Sequence, residues 1–217
     1  MLNNIIIIIL LVLLYFYEES KNNITEKLES LPCIKMQENC DIAFITTKKD
    51  NSDKINLIIK NYKNYCKNCR LTLFVYDKIY STNEYLNKIL IIKEVMKNER
   101  YKNIIWMDSK QPIKNLMISF ERIIDKYNNF NIIFPYNGSI ILDYFIVKNC
   151  PWSKDMIDRL EDYVENNENV DINSHIKTII LSNKILGIKQ KIKLADISEF
   201  DEIVNDKKIE KESTQSE

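Results

Sequence analysis

Short unbroken apolar runs alternate along this chain with stretches whose apolar residues recur at helical spacing. The run within Asp41–Thr47 lacks polar alternation and predicts a strand buried on both faces. Asp50, Asn51, Ser52 and Asp53 follow with turn and N-cap oxygens. From Ile55 the apolar residues fall at 55, 58, 59, 62, 65, 66 and 69, which is one face of a helix. Leu71–Tyr76 reads as a second strand ending at Asp77, and Ser81-x-x-Glu84 has the form of a capping box. It opens a helix that places Tyr85, Ile89, Ile92 and Met96 on one face. Asn103–Lys110 then supplies a third strand, whose apolar run Ile104–Met107 stops abruptly at Asp108.

The second half continues the pattern. A third helix is predicted from Ile113 through Leu116, Met117, Phe120, Ile124 and Tyr127. Asn131–Phe134 and Ile140–Val147 read as strands joined by the turn Pro135-Tyr136-Asn137-Gly138. Ser153 caps a helix with Met156, Ile157, Leu160 and Tyr163 inward, and Asp171–Leu186 predicts another. Strand–helix alternation of this kind implies an α/β fold, a mostly parallel sheet flanked by helices with right-handed crossovers. Ligands of such sheets bind outside the carboxyl ends of the strands. Here that crevice would be lined by Thr46–Asp53, Asp77–Thr82 and Asp108–Lys110.

Composition narrows the function. The 217 residues carry 31 basic and 31 acidic side chains, so no net charge argues for a nucleic-acid partner. Glycine occurs only at Gly138 and Gly187, which excludes glycine-rich phosphate loops and leaves many turns to Asn. The dominance of Ile, Asn and Lys has the look of an AT-rich coding sequence. Ile5–Tyr17 is an apolar run without a following small-x-small cleavage site, which reads as an uncleaved signal anchor. The expected organisation is therefore an anchor over 1–17, a stem over 18–40, a domain over 41–197 and a disordered charged tail over 198–217. A lumenal domain would hold its five cysteines in an oxidising compartment. Cys66-Lys-Asn-Cys69 closes a helix rather than opening one, so a structural role is expected rather than redox or zinc chemistry.

Two segments resemble glycosyltransferase family 34, which includes α-1,6-mannosyl-, galactosyl- and xylosyltransferases. Trp106-Met107-Asp108-Ser109-Lys110 is similar to the family's Trp-Met-Asp-Ser-Asp. Phe145–Ser153 is similar to its Phe-Leu-Ile-Arg-Asn-Cys-x-Trp-Ser, with Asn149, Cys150, Trp152 and Ser153 agreeing in order and spacing. The resemblance implies a divergent, truncated relative with a GT-A-like, Rossmann-type domain. Such a domain transfers a hexose from a GDP- or UDP-sugar to a glycan with retention of configuration. It also implies a single-pass type II protein of the Golgi or endoplasmic reticulum membrane. Asp108, Ser109 and Lys110 would then hold the donor, Thr46 and Thr47 would line the nucleotide pocket, and Asp143 would stand on the acceptor side.

The resemblance departs from the family where chemistry is concentrated. The family's Asp-x-Asp holds Mn²⁺ against the diphosphate leaving group, and its last position here is Lys110. A cation beside the metal position turns attraction into repulsion worth about 4 kcal/mol per pair at 4 Å and an effective dielectric of 20. Two explanations follow. Either the Lys110 ammonium itself meets the diphosphate and no metal is needed, or catalysis has been lost. In the second case the chain serves as a non-enzymatic subunit or scaffold of a glycosyltransferase complex. An unrelated membrane-tethered α/β binding domain is the third expectation. The sole histidine, His175, lacks the family's Gly-Cys context and is read as a helix-surface residue, not a metal ligand.

Overall fold

The computed structural model describes residues 40–48, 50–110, 112–167, 175–176 and 190–204. The expected anchor and all of the stem but Cys40 lie outside these residues, as does most of the helix expected over Asp171–Leu186. Among the described residues, no helix is long and apolar enough to cross a membrane.

The elements run β1 (Ile42–Thr47), α1 (Asp53–Cys69), β2 (Thr72–Tyr76), α2 (Glu84–Met96), β3 (Asn103–Met107), α3 (Glu121–Lys126), β4 (Ile132–Tyr136), β5 (Tyr144–Lys148), α4 (Pro151–Glu165), β6 (Ile192–Asp196) and α5 (Ile197–Val204). The strands form one six-stranded mixed sheet in the order β2-β1-β3-β5-β4-β6. β1 pairs in parallel with β2 and β3, and β4 in parallel with β6, while β5 runs antiparallel to both of its neighbours. Successive strands step to opposite sides of β1, so the chain switches direction between β1 and β3. That is where an open α/β sheet leaves a crevice.

β1 is buried along its whole length, as its unbroken apolar run requires. α1 begins where Ser52 accepts from the Ile55 amide, and it ends at Arg70 in the left-handed region (φ 56°). Its inward face packs Tyr62 and Tyr65 against Phe44, and Phe120 completes the aromatic cluster. Asn149 fastens the opposite end of the sheet. Its amide donates to the carbonyls of Met96, Asn98 and Tyr101 at 3.2, 3.3 and 3.0 Å. The better matched of the two resemblance segments therefore does structural work at this position.

Several expectations are corrected. α2 is capped by Asn83, whose Oδ1 accepts from the Tyr85 and Leu86 amides, rather than by a Ser81–Glu84 box. α4 starts at Pro151 after Cys150, and the Ser153 hydroxyl is buried against Cys150 instead of capping. The predicted helix over Ile113–Tyr127 shrinks to Glu121–Lys126. Tertiary bonds take the backbone groups that a helix would have used. Asn61 clamps both the N–H and the C=O of Ile113, the Tyr65 hydroxyl bridges Ile118 and Phe120, and the Ile203 carbonyl accepts from Lys114 and Asn115. The strand expected over Ile140–Val147 begins only at Tyr144. Finally, residues 198–204, the start of the tail expected to be disordered, lie in α5, with Phe200, Ile203 and Val204 buried beside the unforeseen strand β6, and the rest of that tail lies outside the described residues. Phe200 lies against Phe120 and Tyr144 at 6.1 and 5.6 Å between ring centroids. Three apolar residues among acids are enough when they share one helix face.

Candidate functional site

Asp108 ends β3 facing inward. Its residue is 3% exposed, and both carboxylate oxygens are occupied. The Trp106 indole donates to Oδ1 at 2.7 Å, from two residues back on the same strand face. Lys88 Nζ donates to Oδ2 at 2.9 Å, and Lys110 Nζ lies 3.3 Å from the same oxygen. The Asp108 carbonyl is held too, by the Tyr62 hydroxyl at 2.9 Å. Burial drives the pKa of that phenol upward, so it remains a neutral donor.

Sequence reasoning missed Lys88. It is buried in α2, where its ammonium also donates to the Leu142 carbonyl at 3.0 Å and sits 5.8 Å from the Trp106 ring centroid. The signal lay in its position: 85, 88 and 92 fall on the apolar stripe that Tyr85 and Ile92 define. A lysine on that stripe needs a buried anion.

Lys110 is half exposed and lies among three carboxylates. Its Nζ stands 2.8 Å from Asp143 Oδ1, 3.3 Å from Asp108 Oδ2 and 3.9 Å from Glu84 Oε1. Lys88 reaches the same Glu84 oxygen at 3.9 Å. Two ammonium ions thus face three carboxylates in one connected cluster. The Asp143 hydrogen bond and the charges of Asp108 and Asp143 hold the Lys110 ammonium well above the usual lysine range, against partial burial. Burial pushes Asp143 upward, but the hydrogen bond and charge of Lys110, with Lys88 behind it, bring it below the ordinary carboxylate value. Asp143 precedes β5 and is half exposed, so it is not the strand-borne acid expected from the sequence, and Lys110 is its partner.

An open cleft of about 350 Å³ lies beside this cluster, at the carboxyl ends of β1 and β2. Thr47, Lys48, Asp77, Lys78, Thr82 and Glu84 contribute to its wall, which joins the first two of the three segments predicted to line a crevice. Glu84 belongs to both cleft and cluster. Thr46 does not line the cleft: it is fully buried in β1. Its hydroxyl and that of buried Ser109 find no hydrogen-bond partner among the described residues. Ile45 pairs with Trp106, and the same register two residues on sets Thr47 level with Asp108. The Asp108–Lys110 end of β3 thus stands beside β1 at the topological switch point, next to the cleft but outside its lining.

One solved structure gives this geometry a context. The chain resembles a glycosyltransferase involved in the glycosylation of the major capsid of PBCV-1, with a TM-score of 0.58 and 12% identity, over 72% of this chain and 82% of that one. The fold is glycosyltransferase-like. The chain also aligns with A197 from STIV, at a TM-score of 0.43 and 7% identity over 73% of this chain and 83% of that one. No family model matches the sequence, and no curated protein does. Membership of family 34 in particular does not follow from a shared fold.

The divalent metal implied by the resemblance does not fit these residues. Asp108 already accepts from three donors, one of them a buried ammonium. The oxygens around Lys110 stand 2.8–3.9 Å from its nitrogen, spacing suited to an ammonium ion. Hard divalent cations require roughly 2.0–2.6 Å. Among the described residues, no group of three or more His, Cys, Asp or Glu side chains could hold a metal ion. Cys40, Cys66, Cys69 and Cys150 are free thiols. Burial raises Cys66 well above the usual thiol range, which makes it unreactive. His175 stacks on Tyr163.

Proposed function

We propose that this chain is a nucleotide-sugar-dependent glycosyltransferase of the GT-A kind. It would bind a GDP- or UDP-hexose, of the mannose or galactose class, in the cleft at the ends of β1 and β2. The observation that carries this reading is the half-exposed Lys110 ammonium at the switch point of a glycosyltransferase-like fold, beside a cleft of nucleotide size. Thr47, Lys48 and Lys78 line the nucleoside side, and the diphosphate reaches toward Lys110. In the transfer, the bond between sugar C1 and the phosphate oxygen breaks with its electron pair on the leaving diphosphate. An acceptor hydroxyl oxygen bonds to C1, and its proton leaves with the released diphosphate. Lysine is an established phosphate binder and would stabilise the charge that develops there. The acceptor is a glycan approaching from the Asp143 side. The apolar run Ile5–Tyr17 supports anchorage in the Golgi or endoplasmic reticulum membrane, with the domain lumenal.

The test is saturation-transfer NMR of the full chain with GDP-mannose and UDP-galactose, together with an assay of released nucleoside diphosphate. Contact signals from one nucleotide, lost in the Lys48→Glu, Lys78→Glu double variant, support the proposal. Absence of contact with either sugar nucleotide overturns it.

A second reading draws support from the same cluster. Each of the five charged groups has an oppositely charged partner inside the cluster, two ammonium ions among three carboxylates, so the cluster holds together through its own side chains. A catalytically inactive homologue, retained as a subunit of a glycosyltransferase complex, would keep just such a cluster. Nucleotide binding without turnover on any hexose donor distinguishes it.

A further inference from the structure

Lys88 and Lys110 come from different elements yet share two acidic partners. Both lie within ion-pair distance of Asp108 Oδ2, at 2.9 and 3.3 Å, and both reach Glu84 Oε1 at 3.9 Å. Their roles differ by burial. Lys88 is 7% exposed at its side chain and bound to the Leu142 carbonyl, so it is fixed in place. Lys110 is 49% exposed and hangs on the loop after β3, free to exchange Asp143 for another anion.

We infer that Lys88 and Lys110 together take over the part of the divalent metal at this site, Lys88 by neutralising buried Asp108 and Lys110 by meeting the donor diphosphate, which is then bound without metal. The inference rests on the glycosyltransferase reading above and deepens it. The two ammonium charges are divided between two tasks: one is held against a buried carboxylate and the other stands half exposed where a ligand can reach it. Lys88 is a positioning residue in this arrangement. By neutralising Asp108 permanently, it leaves Lys110 with a charge to offer. Without Lys88, the buried Asp108 carboxylate would draw Lys110 inward, because an unpaired buried charge is the costlier outcome. Lys110 is the group that touches the ligand. The division explains why a lysine at the third position of Asp-Ser-Lys is accompanied by a second lysine in the helix above it.

The experiment is calorimetric titration of the full chain with GDP and with UDP, in EDTA and in Mn²⁺, for the native chain and for Lys110→Asp, Lys110→Met and Lys88→Met. Native affinity is expected to be the same with and without Mn²⁺. Lys110→Met is expected to lose roughly tenfold or more under both conditions. Lys88→Met is expected to weaken the nucleotide by a similar factor although it lies outside contact range. Lys110→Asp is expected to bind Mn²⁺, read directly by loss of the free-ion electron paramagnetic resonance signal, and to bind nucleotide only in its presence. Native binding that requires Mn²⁺, or Mn²⁺ capture by the native chain, overturns the inference and leaves the glycosyltransferase reading standing. Binding of neither nucleotide under any condition overturns both. Should Lys88→Met fail to fold, the two variants of half-exposed Lys110 carry the test alone.

Discussion

Lys88 on α2 and Asp108 at the tip of β3 meet at 2.9 Å, and only 7% and 2% of their side chains reach solvent. The pair ties a helix to the strand end it crosses, and Trp106 closes the other carboxylate oxygen. Breaking one half of a buried ion pair strands the other half in a poorly solvated place. Such losses run to about 3–5 kcal/mol.

Lys88→Met retains the length of the side chain and removes its charge. Asp108 keeps the Trp106 and Lys110 contacts, so the expected loss lies at the lower limit, about 3 kcal/mol. Urea unfolding followed by tryptophan fluorescence measures it. Pairing the change with Asp108→Asn is expected to recover part of the loss, since neither charge then remains alone. A single-variant loss below about 0.5 kcal/mol, the level of an ordinary surface change, would show that Lys110 suffices to neutralise Asp108.

The pH dependence of stability follows from the outer pair. Lys110 is held above its ordinary value of 10.5, so its contribution is complete below that pH and fades as pH climbs through the higher folded value. Asp143 is held below its ordinary 3.8, so its contribution is present above that pH and fades as acid titrates the folded form. The difference in melting temperature between the native chain and Lys110→Met should therefore be flat from about pH 5 to 9 and shrink at both extremes. Solvent screening of two half-exposed groups keeps the underlying difference in stability within about 1 kcal/mol. A break between pH 6 and 8 would assign the linkage elsewhere.

α5 offers a test of where the domain ends. Phe200 is fully buried against Phe120 and Tyr144, although it stands in a segment rich in acids. Phe200→Ala should cost about 3–5 kcal/mol. Glu202→Ala on the same helix removes only a surface pair with Arg122 and should cost under about 1 kcal/mol. Equal, small effects from both would return the segment to a loosely attached tail.

Much of the architecture was legible because β1, β2 and β3 are unbroken apolar runs and α1 carries a long regular stripe. What escaped shares a physical cause: tertiary partners overrode local preference. The helical pattern after Ile113 was real, yet Asn61, Tyr65 and the Ile203 carbonyl took up its backbone groups. β6 and α5 were hidden because their few apolar residues are diluted by charge. At the candidate site, Asp108, Lys110 and Asp143 were singled out and do converge. Thr46 and Ser109 are buried and neither lines the cleft, whereas Thr47 does. Lys88 went unnoticed because a lysine reads as surface until its place on an apolar stripe is weighed.

Asp143 is the group that a diphosphate would have to displace from Lys110, since it holds that ammonium at 2.8 Å. Asp143→Asn keeps an oxygen able to accept from Lys110 but removes a negative charge near the proposed phosphate position. A unit charge about 10 Å away, at an effective dielectric of 20, is worth about 1.7 kcal/mol per phosphate charge, which is on the order of tenfold in affinity. Binding of GDP or UDP should tighten accordingly, and the gain should diminish as ionic strength rises. If Asp143 also receives the acceptor, turnover with a glycan should fall while donor affinity improves. Opposite movement of the two parameters is something a loss of folding does not produce. Unchanged donor affinity in Asp143→Asn would mean that the diphosphate does not reach Lys110, and the nucleotide would then have to be sought elsewhere along the cleft.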